Sequence, residues 1–186
     1  MIHLMRKRID PENMPVLYDV PFSPETFERD FEVRDGEWCV EKGWLTGESR
    51  RNFASMAIMR RSFFGPVCLD FRAKVLSPCT HDINCMWSGS WNEADNSRGL
   101  AYVAGIGGWW DGKVGFEKSP EYRLNCGTKL LDFRPERCIT CSAAASAAMC
   151  LWSWTDGSPS RPPTPIPSIR RSTGAWDLRP TVPASP

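Results

Sequence analysis

The stretch Val67-Cys-Leu-Asp-Phe-Arg-Ala-Lys-Val75 alternates without a break. Val67, Leu69, Phe71, Ala73 and Val75 fall on one face of an extended chain, and Cys68, Asp70, Arg72 and Lys74 on the other. Successive side chains of a strand point to opposite faces, so this pattern predicts a half-buried strand with one wet face, as in antiparallel sheets. Upstream, Glu37-Trp-Cys-Val-Glu-Lys-Gly-Trp-Leu-Thr-Gly47 predicts two short strands turning at Lys42-Gly43, and Ala54 to Met59 predicts another. Downstream, strands are predicted at Ile83 to Ser88, Leu100 to Ile106, Lys113 to Lys118 and Tyr122 to Asn125, with glycine-rich turns between them. No window carries an apolar stripe at i, i+3, i+4 and i+7 over a helical length. The expected fold is therefore all-β: an antiparallel β-sandwich or jelly roll.

Composition bounds the function. The chain has 186 residues, with 23 Lys and Arg against 22 Asp and Glu, a net charge of +1. Phosphate-backbone binders carry a concentrated basic excess, so nucleic acid is not an expected partner. Arg6-Lys-Arg8, Arg50-Arg51 and Arg60-Arg61 are simplest as solvated faces. No apolar run reaches the roughly 18 residues that span a bilayer, and the N-terminus lacks a secretory pattern. Neither a membrane nor export is expected, which places the protein in the cytoplasm. The eight cysteines are irregularly spaced, and reduced thiols suit that compartment. Cys138-Ile-Thr-Cys141 is a CxxC, the spacing of redox pairs and of half a zinc site, but no second pair with metal spacing accompanies it.

The chain changes character near residue 138. The 49 residues from Cys138 onward contain no Lys, Glu, Phe or Tyr and hold eight of the sixteen prolines, while Ser, Ala, Thr and Pro make up 28 of them. Residues 1–15 read as an N-terminal extension, 16–137 as the sandwich and 138–186 as a tail that is either disordered or out of frame. The three tryptophans Trp152, Trp154 and Trp176 fit disorder poorly. Beginning each codon one nucleotide earlier forces Val from Met149-Cys150, Asp from Trp154-Thr155 and Gly from Trp176-Asp177. The same shift permits VYHV from residue 138, VDGRLALEATDPDPID from residue 154 and YGRVGFEAYC from residue 173. These strings have the form of strand, Asp-Gly hairpin, strand, loop and final strand.

Three segments carry a family resemblance: Phe27-Glu-Arg-Asp-Phe31, then Gly36-Glu-Trp-Cys-Val-Glu-Lys-Gly-Trp-Leu-Thr-Gly47, then Gly65-Pro-Val-Cys-Leu-Asp-Phe-Arg-Ala73. Over residues 16 to 137 the chain resembles the concanavalin A-like lectin/glucanase superfamily, in its YesU-like and laminin-G-like branches. The resemblance implies a jelly roll, incomplete as written because the closing strands come only from the shifted tail. It also implies carbohydrate as the partner. Laminarinase-like members use E-x-D-x-x-E on one strand, whereas Glu93-Ala-Asp95-Asn-Ser-Arg98 ends the pattern in Arg.

Residues 81 to 122 hold the candidate chemistry. Sugars present apolar C–H faces ringed by hydroxyls, so a sugar site needs aromatic platforms beside amides and carboxylates. Trp87, Trp91, Asn92, Trp109, Trp110 and Asp111 supply those parts, with Asp82, Asn84 and Glu93 beside them. Any single tryptophan is as well read as core. For the adjacent Trp109 and Trp110, extended geometry turns one ring outward. A glycosidase would draw two carboxylates from Glu93, Asp111, Glu117 and Glu121, about 5 to 5.5 Å apart for retention or roughly 6.5 to 9.5 Å for inversion. A solvated loop is the plainer reading of those acids. His81 has no second histidine nearby, and Gly105-Ile-Gly-Gly108 is turn chemistry rather than a phosphate loop. No cofactor is expected. Asp82, Asn84 and Asp95 offer oxygen ligands for calcium, without EF-hand spacing.

Overall fold

The computed structural model describes residues 2–4, 7–9, 13–49, 55–79, 82–109, 113–120, 123–129, 134–146, 149–156 and 168–171. These residues form an all-β protein with one short helix. Every strand pair among them is antiparallel.

In chain order, β1 (Ile2–Leu4) and β2 (Lys7–Ile9) form a ribbon, and β3 (Val16–Tyr18) precedes the helix α1 (Pro24–Asp30). β4 (Phe31–Asp35) follows, then the hairpin of β5 (Glu37–Glu41) and β6 (Trp44–Glu48), and then β7 (Met56–Met59), which returns to pair with β4. β8 (Val67–Ala73) is the alternating strand. Next come β9 (Ile83–Trp87), the small hairpin of β10 (Trp91–Asn92) and β11 (Ser97–Arg98), β12 (Ala101–Trp109), β13 (Lys113–Ser119) and β14 (Arg123–Thr128). β15 (Ile139–Ser146), β16 (Met149–Asp156) and β17 (Ser168–Arg171) complete the described elements.

Two larger sheets dominate, a four-stranded one in the order β14-β13-β12-β9 and a five-stranded one in the order β16-β15-β8-β17-β3. The β5–β6 hairpin turns at Lys42 and Gly43, both at positive φ (52° and 77°), the backbone twist that two-residue hairpin loops demand. Gly107 (φ 78°) lies where the β12 register slips between Ile106 and Trp109, a bulge that glycine adopts without steric cost. The helix, which no apolar stripe announces, is set by its start. Ser23 caps it, accepting the Thr26 N–H at 3.1 Å while Thr26 Oγ1 accepts the Ser23 N–H at 2.8 Å, and Pro24 occupies the first turn.

One apolar cluster draws on both larger sheets. Trp87, Ala104, Ile106 and Val114 enter it from the four-stranded sheet, and Ile139, Cys141 and Ala143 from the five-stranded one, with Leu69, Phe71, Ile83, Tyr102 and Phe116 packed around them. Side-chain sizes complement each other across the ladders: Phe71 lies opposite Cys141, Leu69 opposite Ala143 and Ala73 opposite Ile139. A large residue facing a small one lets two sheets interdigitate at the close packing of protein interiors. Trp87 stacks on its cross-strand neighbour Tyr102 at 6.2 Å and meets Phe116 edge-on at 6.1 Å.

The alternation that defines β8 thus puts Leu69 and Phe71 in this cluster, and Asp70, Arg72 and Lys74 on the far face. The ladder continues beyond residue 137. β15 lies between β8 and β16, so the Ser- and Ala-rich segment supplies an interior strand, with β16 at the edge of the described sheet. In Ile139-Thr-Cys-Ser-Ala143 the buried positions alternate, whereas in β8 Cys68 alone is buried and the other positions are half-buried. The rest of the predicted tail, 147–148, 157–167 and 172–186, lies outside the described residues.

Candidate functional site

The β10–β11 hairpin carries the central candidates. Trp91 pairs with Arg98 and Asn92 with Ser97, so residues 93–96 form the turn. Short polar side chains hold that turn. Asn92 Oδ1 accepts the Ala94 N–H at 3.2 Å, and Asp95 Oδ1 accepts the Ser97 hydroxyl at 2.5 Å. At the hairpin base, the Ser90 N–H donates to the Leu100 carbonyl at 2.8 Å and the Gly99 N–H to the Ser90 carbonyl at 3.0 Å.

The hairpin fixes Trp91 from two sides. Its Nε1–H donates to Asn96 Oδ1 at 3.1 Å, and the guanidinium of Arg34, on β4, lies 5.3 Å from its ring centroid. Arg34 closes a fork on Glu93, Nη1 to Oε2 and Nη2 to Oε1, both at 2.8 Å, and Nη2 also reaches Glu32 Oε1 at 3.1 Å. The Glu93 hydrogen bond, with the charges of Glu32 and Glu93, holds the guanidinium pKa above its ordinary value against the opposing effect of burial. Asn96 Nδ2 donates to the Arg34 carbonyl at 3.5 Å, so ring, amide, fork and hairpin form one unit. The result is a half-buried tryptophan held by Asn96 and Arg34, on a hairpin that also carries Asn92 and Glu93.

Glu117 sits elsewhere. It lies on β13 opposite Val103 of β12, on the face turned away from the shared cluster, and is 2% exposed. Arg98 of the hairpin reaches its Oε1 at 3.5 Å. Glu93 and Glu117 therefore each meet an arginine, on different elements.

Trp87 is 6% exposed and belongs to the core, which is where the plainer reading of a single tryptophan puts it. Trp109 ends β12 opposite Lys113. Trp110, Asp111, Glu121 and His81 lie outside the described residues. Asn84 Nδ2 donates to Asp82 Oδ1 at 2.6 Å, while Asp95 belongs to the hairpin turn. Among the described residues, no group of three or more His, Cys, Asp or Glu side chains is arranged to hold a metal ion.

The CxxC divides between two environments. Cys141 is fully buried in the shared cluster, where burial first and the Cys138 charge second push its thiol up to about 12. Cys138 instead accepts a hydrogen bond from Arg72 Nη2 at 3.2 Å, on the opposite side of the sheet. Cys39, Cys68, Cys79, Cys85, Cys126, Cys138 and Cys141 are in no disulfide.

A second aromatic and cationic cluster was not among the sequence candidates. Trp44, the first residue of β6, lies over the polar face of β8, with Arg72 Cζ and Lys74 Nζ each 5.9 Å from its ring centroid. Glu136 Oε2 meets Lys74 at 3.3 Å, and Glu136 Oε1 accepts the Ser77 N–H at 2.9 Å. On the same face Asp70 Oδ1 accepts the Ser142 hydroxyl at 2.5 Å. The strict alternation of residues 67 to 75 foretold that Arg72 and Lys74 share a face; nothing in one sequence says which hairpin covers them.

No family model, curated protein or solved structure matches the chain.

Proposed function

We propose that the chain is a carbohydrate-binding protein of concanavalin-like β-sandwich architecture, with Trp91 as the platform for a sugar ring. The supporting observation is the way Trp91 is held. Asn96 and Arg34 fix the ring before any ligand arrives, and the same hairpin carries the amides of Asn92 and Asn96 and the carboxylate of Glu93. Preorganised aromatic and amide groups lower the ordering cost of binding, which favours a weak, hydroxyl-rich ligand. Two antiparallel sheets that share one apolar cluster are in keeping with the sandwich.

The test is a titration of neutral oligosaccharides against the full chain and its Trp91→Ala variant. A fall in affinity of about tenfold or more is expected, the scale of losing an aromatic contact of 1.4 kcal/mol or more. Equal affinity for every sugar in the folded variant rejects the platform.

A glycosidase is a second reading, favoured by one observation, the burial of the Glu117 carboxylate beside Arg98. Enclosed carboxylates are the raw material of general acid catalysis. Turnover of reducing-end-labelled glycans that vanishes in Glu117→Gln supports the enzyme, whereas binding without turnover supports the module.

A further inference from the structure

We propose that Arg72, Lys74 and Trp44 form a binding site for a small oxyanion of the carboxylate or sulfate kind, supplied naturally by an acidic sugar. The oxyanion chemistry stands on the site alone, whereas the sugar as its source rests on the carbohydrate reading above.

The alternation of β8 sets the two cations side by side on its polar face, and the β5–β6 hairpin brings the Trp44 ring within 5.9 Å of both. A guanidinium presents five N–H donors and no acceptor, so a half-buried arginine ordinarily meets a carboxylate. Arg72 does not. Its Nη2 donates to the Cys138 sulfur, a weak acceptor, and its buried Nη1 has no hydrogen-bond partner. The acids described on the same face are turned to other groups: Asp70 Oδ1 to Ser142 and Cys68, and Glu136 to Lys74 and the Ser77 N–H.

The same protein shows how such a group is completed. Arg34 also lies against a tryptophan, and there Glu93 fills the fork with two 2.8 Å contacts. Arg72 has the ring without the carboxylate. An incoming carboxylate or sulfate would supply to Arg72 what Glu93 supplies to Arg34, with Lys74 adding a second charge. Access is compatible with this role. Lys74 keeps 32% of its side chain exposed. Among the described residues the hairpin carrying Trp44 pairs as a separate two-stranded sheet, so the ring can move aside without breaking the ladder of either larger sheet.

The experiment is calorimetric titration of the full chain at low ionic strength with three probes: a galacturonic acid trimer, the neutral galactose trimer and sodium sulfate. An acidic probe is expected to bind, with affinity about tenfold or more weaker in Arg72→Gln and about threefold weaker in Lys74→Gln. Arg72→Lys, which keeps the charge and loses the fork, is expected to fall between, and it serves where Arg72→Gln does not fold. Binding of the acidic trimer above that of sulfate identifies the sugar as the source. Sulfate binding equal to the trimer, with the same Arg72 dependence, supports the oxyanion site and assigns it a free anion. Affinities for all anionic probes that are the same in wild type and in a folded Arg72 variant overturn the proposal. Failure of the neutral trimer to show any Trp91 dependence removes the carbohydrate reading and leaves the oxyanion site standing.

Discussion

The two larger sheets are made of similar strands but of very different stretches of chain. The four-stranded sheet takes all its strands from residues 83–128: β12, β13 and β14 follow one another by short connections, and β9 meets β12 across the intervening β10–β11 hairpin. The five-stranded sheet gathers residues 16–18, 67–73, 139–156 and 168–171, and its central strand β8 lies between β15 and β17, both from the far end of the chain. Both nonetheless contribute to one apolar cluster. Local hairpins form at low loop-closure cost, whereas distant strands must be repaid by the core they close. The difference teaches that the second sheet depends on the shared core more than the first does.

Stopping the chain after Arg137 should break this dependence most severely. It removes β15, β16 and β17, bares both edges of β8 and strips Ile139, Cys141 and Ala143 from the cluster. The expected outcome is loss of a cooperative thermal transition and aggregation through open strand edges, read by calorimetry and light scattering. A sharp transition in that shortened chain would show the four-stranded sheet to be self-sufficient. The shifted reading frame bears on the same strands. An intact mass of 21.0 kDa for the native product keeps β15 to β17 as described, and a departure from it replaces them with the shifted sequence.

Single core truncations sharpen the comparison. Ile106 on β12 and Ile139 on β15 are 0% and 2% exposed, and Ile→Ala at either should cost about 2–5 kcal/mol in urea unfolding. Similar costs that fail to add in the double variant indicate one core. A clearly smaller cost at Ile139 indicates that the five-stranded sheet is loosely packed.

The smallest effect concerns the link between β3 and α1. Tyr18 donates its hydroxyl to Asp30 Oδ2 at 2.8 Å, and Tyr18→Phe should cost about 1 kcal/mol. Asp30 also accepts a fork from Arg29, and these bonds, the arginine first, hold its pKa near 2 against the usual 3.8. The unfolded chain therefore binds more protons between those values. This contribution is complete above about pH 4 and is lost as pH falls through about 2. Asp30→Asn should flatten that part of the acid limb of stability against pH. An unchanged limb rejects the link.

Much of the fold was legible where the sequence alternates locally. The hairpin at Lys42-Gly43 and the strands near 56–59, 67–73, 83–87, 101–109, 113–119 and 123–128 lie close to their predicted places. The helix at 24–30 was not predicted because it is too short for an apolar stripe, and its signal is the cap at Ser23 and Pro24. Strand β15 was hidden by composition, since Ser and Ala read as a weak core former when the opposing Leu69 and Phe71 are unknown. Of the candidate site, Trp91, Asn92 and Glu93 cluster because they share one hairpin. Arg34 joins them from 59 residues upstream of Glu93, a distance no local pattern spans. Trp87 carried the same sequence signal as Trp91, but it lies on β9 in the shared cluster, whereas Trp91 lies on a hairpin that pairs with neither larger sheet among the described residues.

The placement of the thiols sets how this protein ages in air. Cys68 and Cys141 are buried, whereas Cys39, Cys79 and Cys126 are exposed. Oxidants and thiol reagents therefore meet the surface sulfurs first, and the chemistry available there is reversible mixed-disulfide formation between molecules. Stored without reductant, the protein should accumulate covalent dimers that dithiothreitol dissolves while its core remains chemically intact.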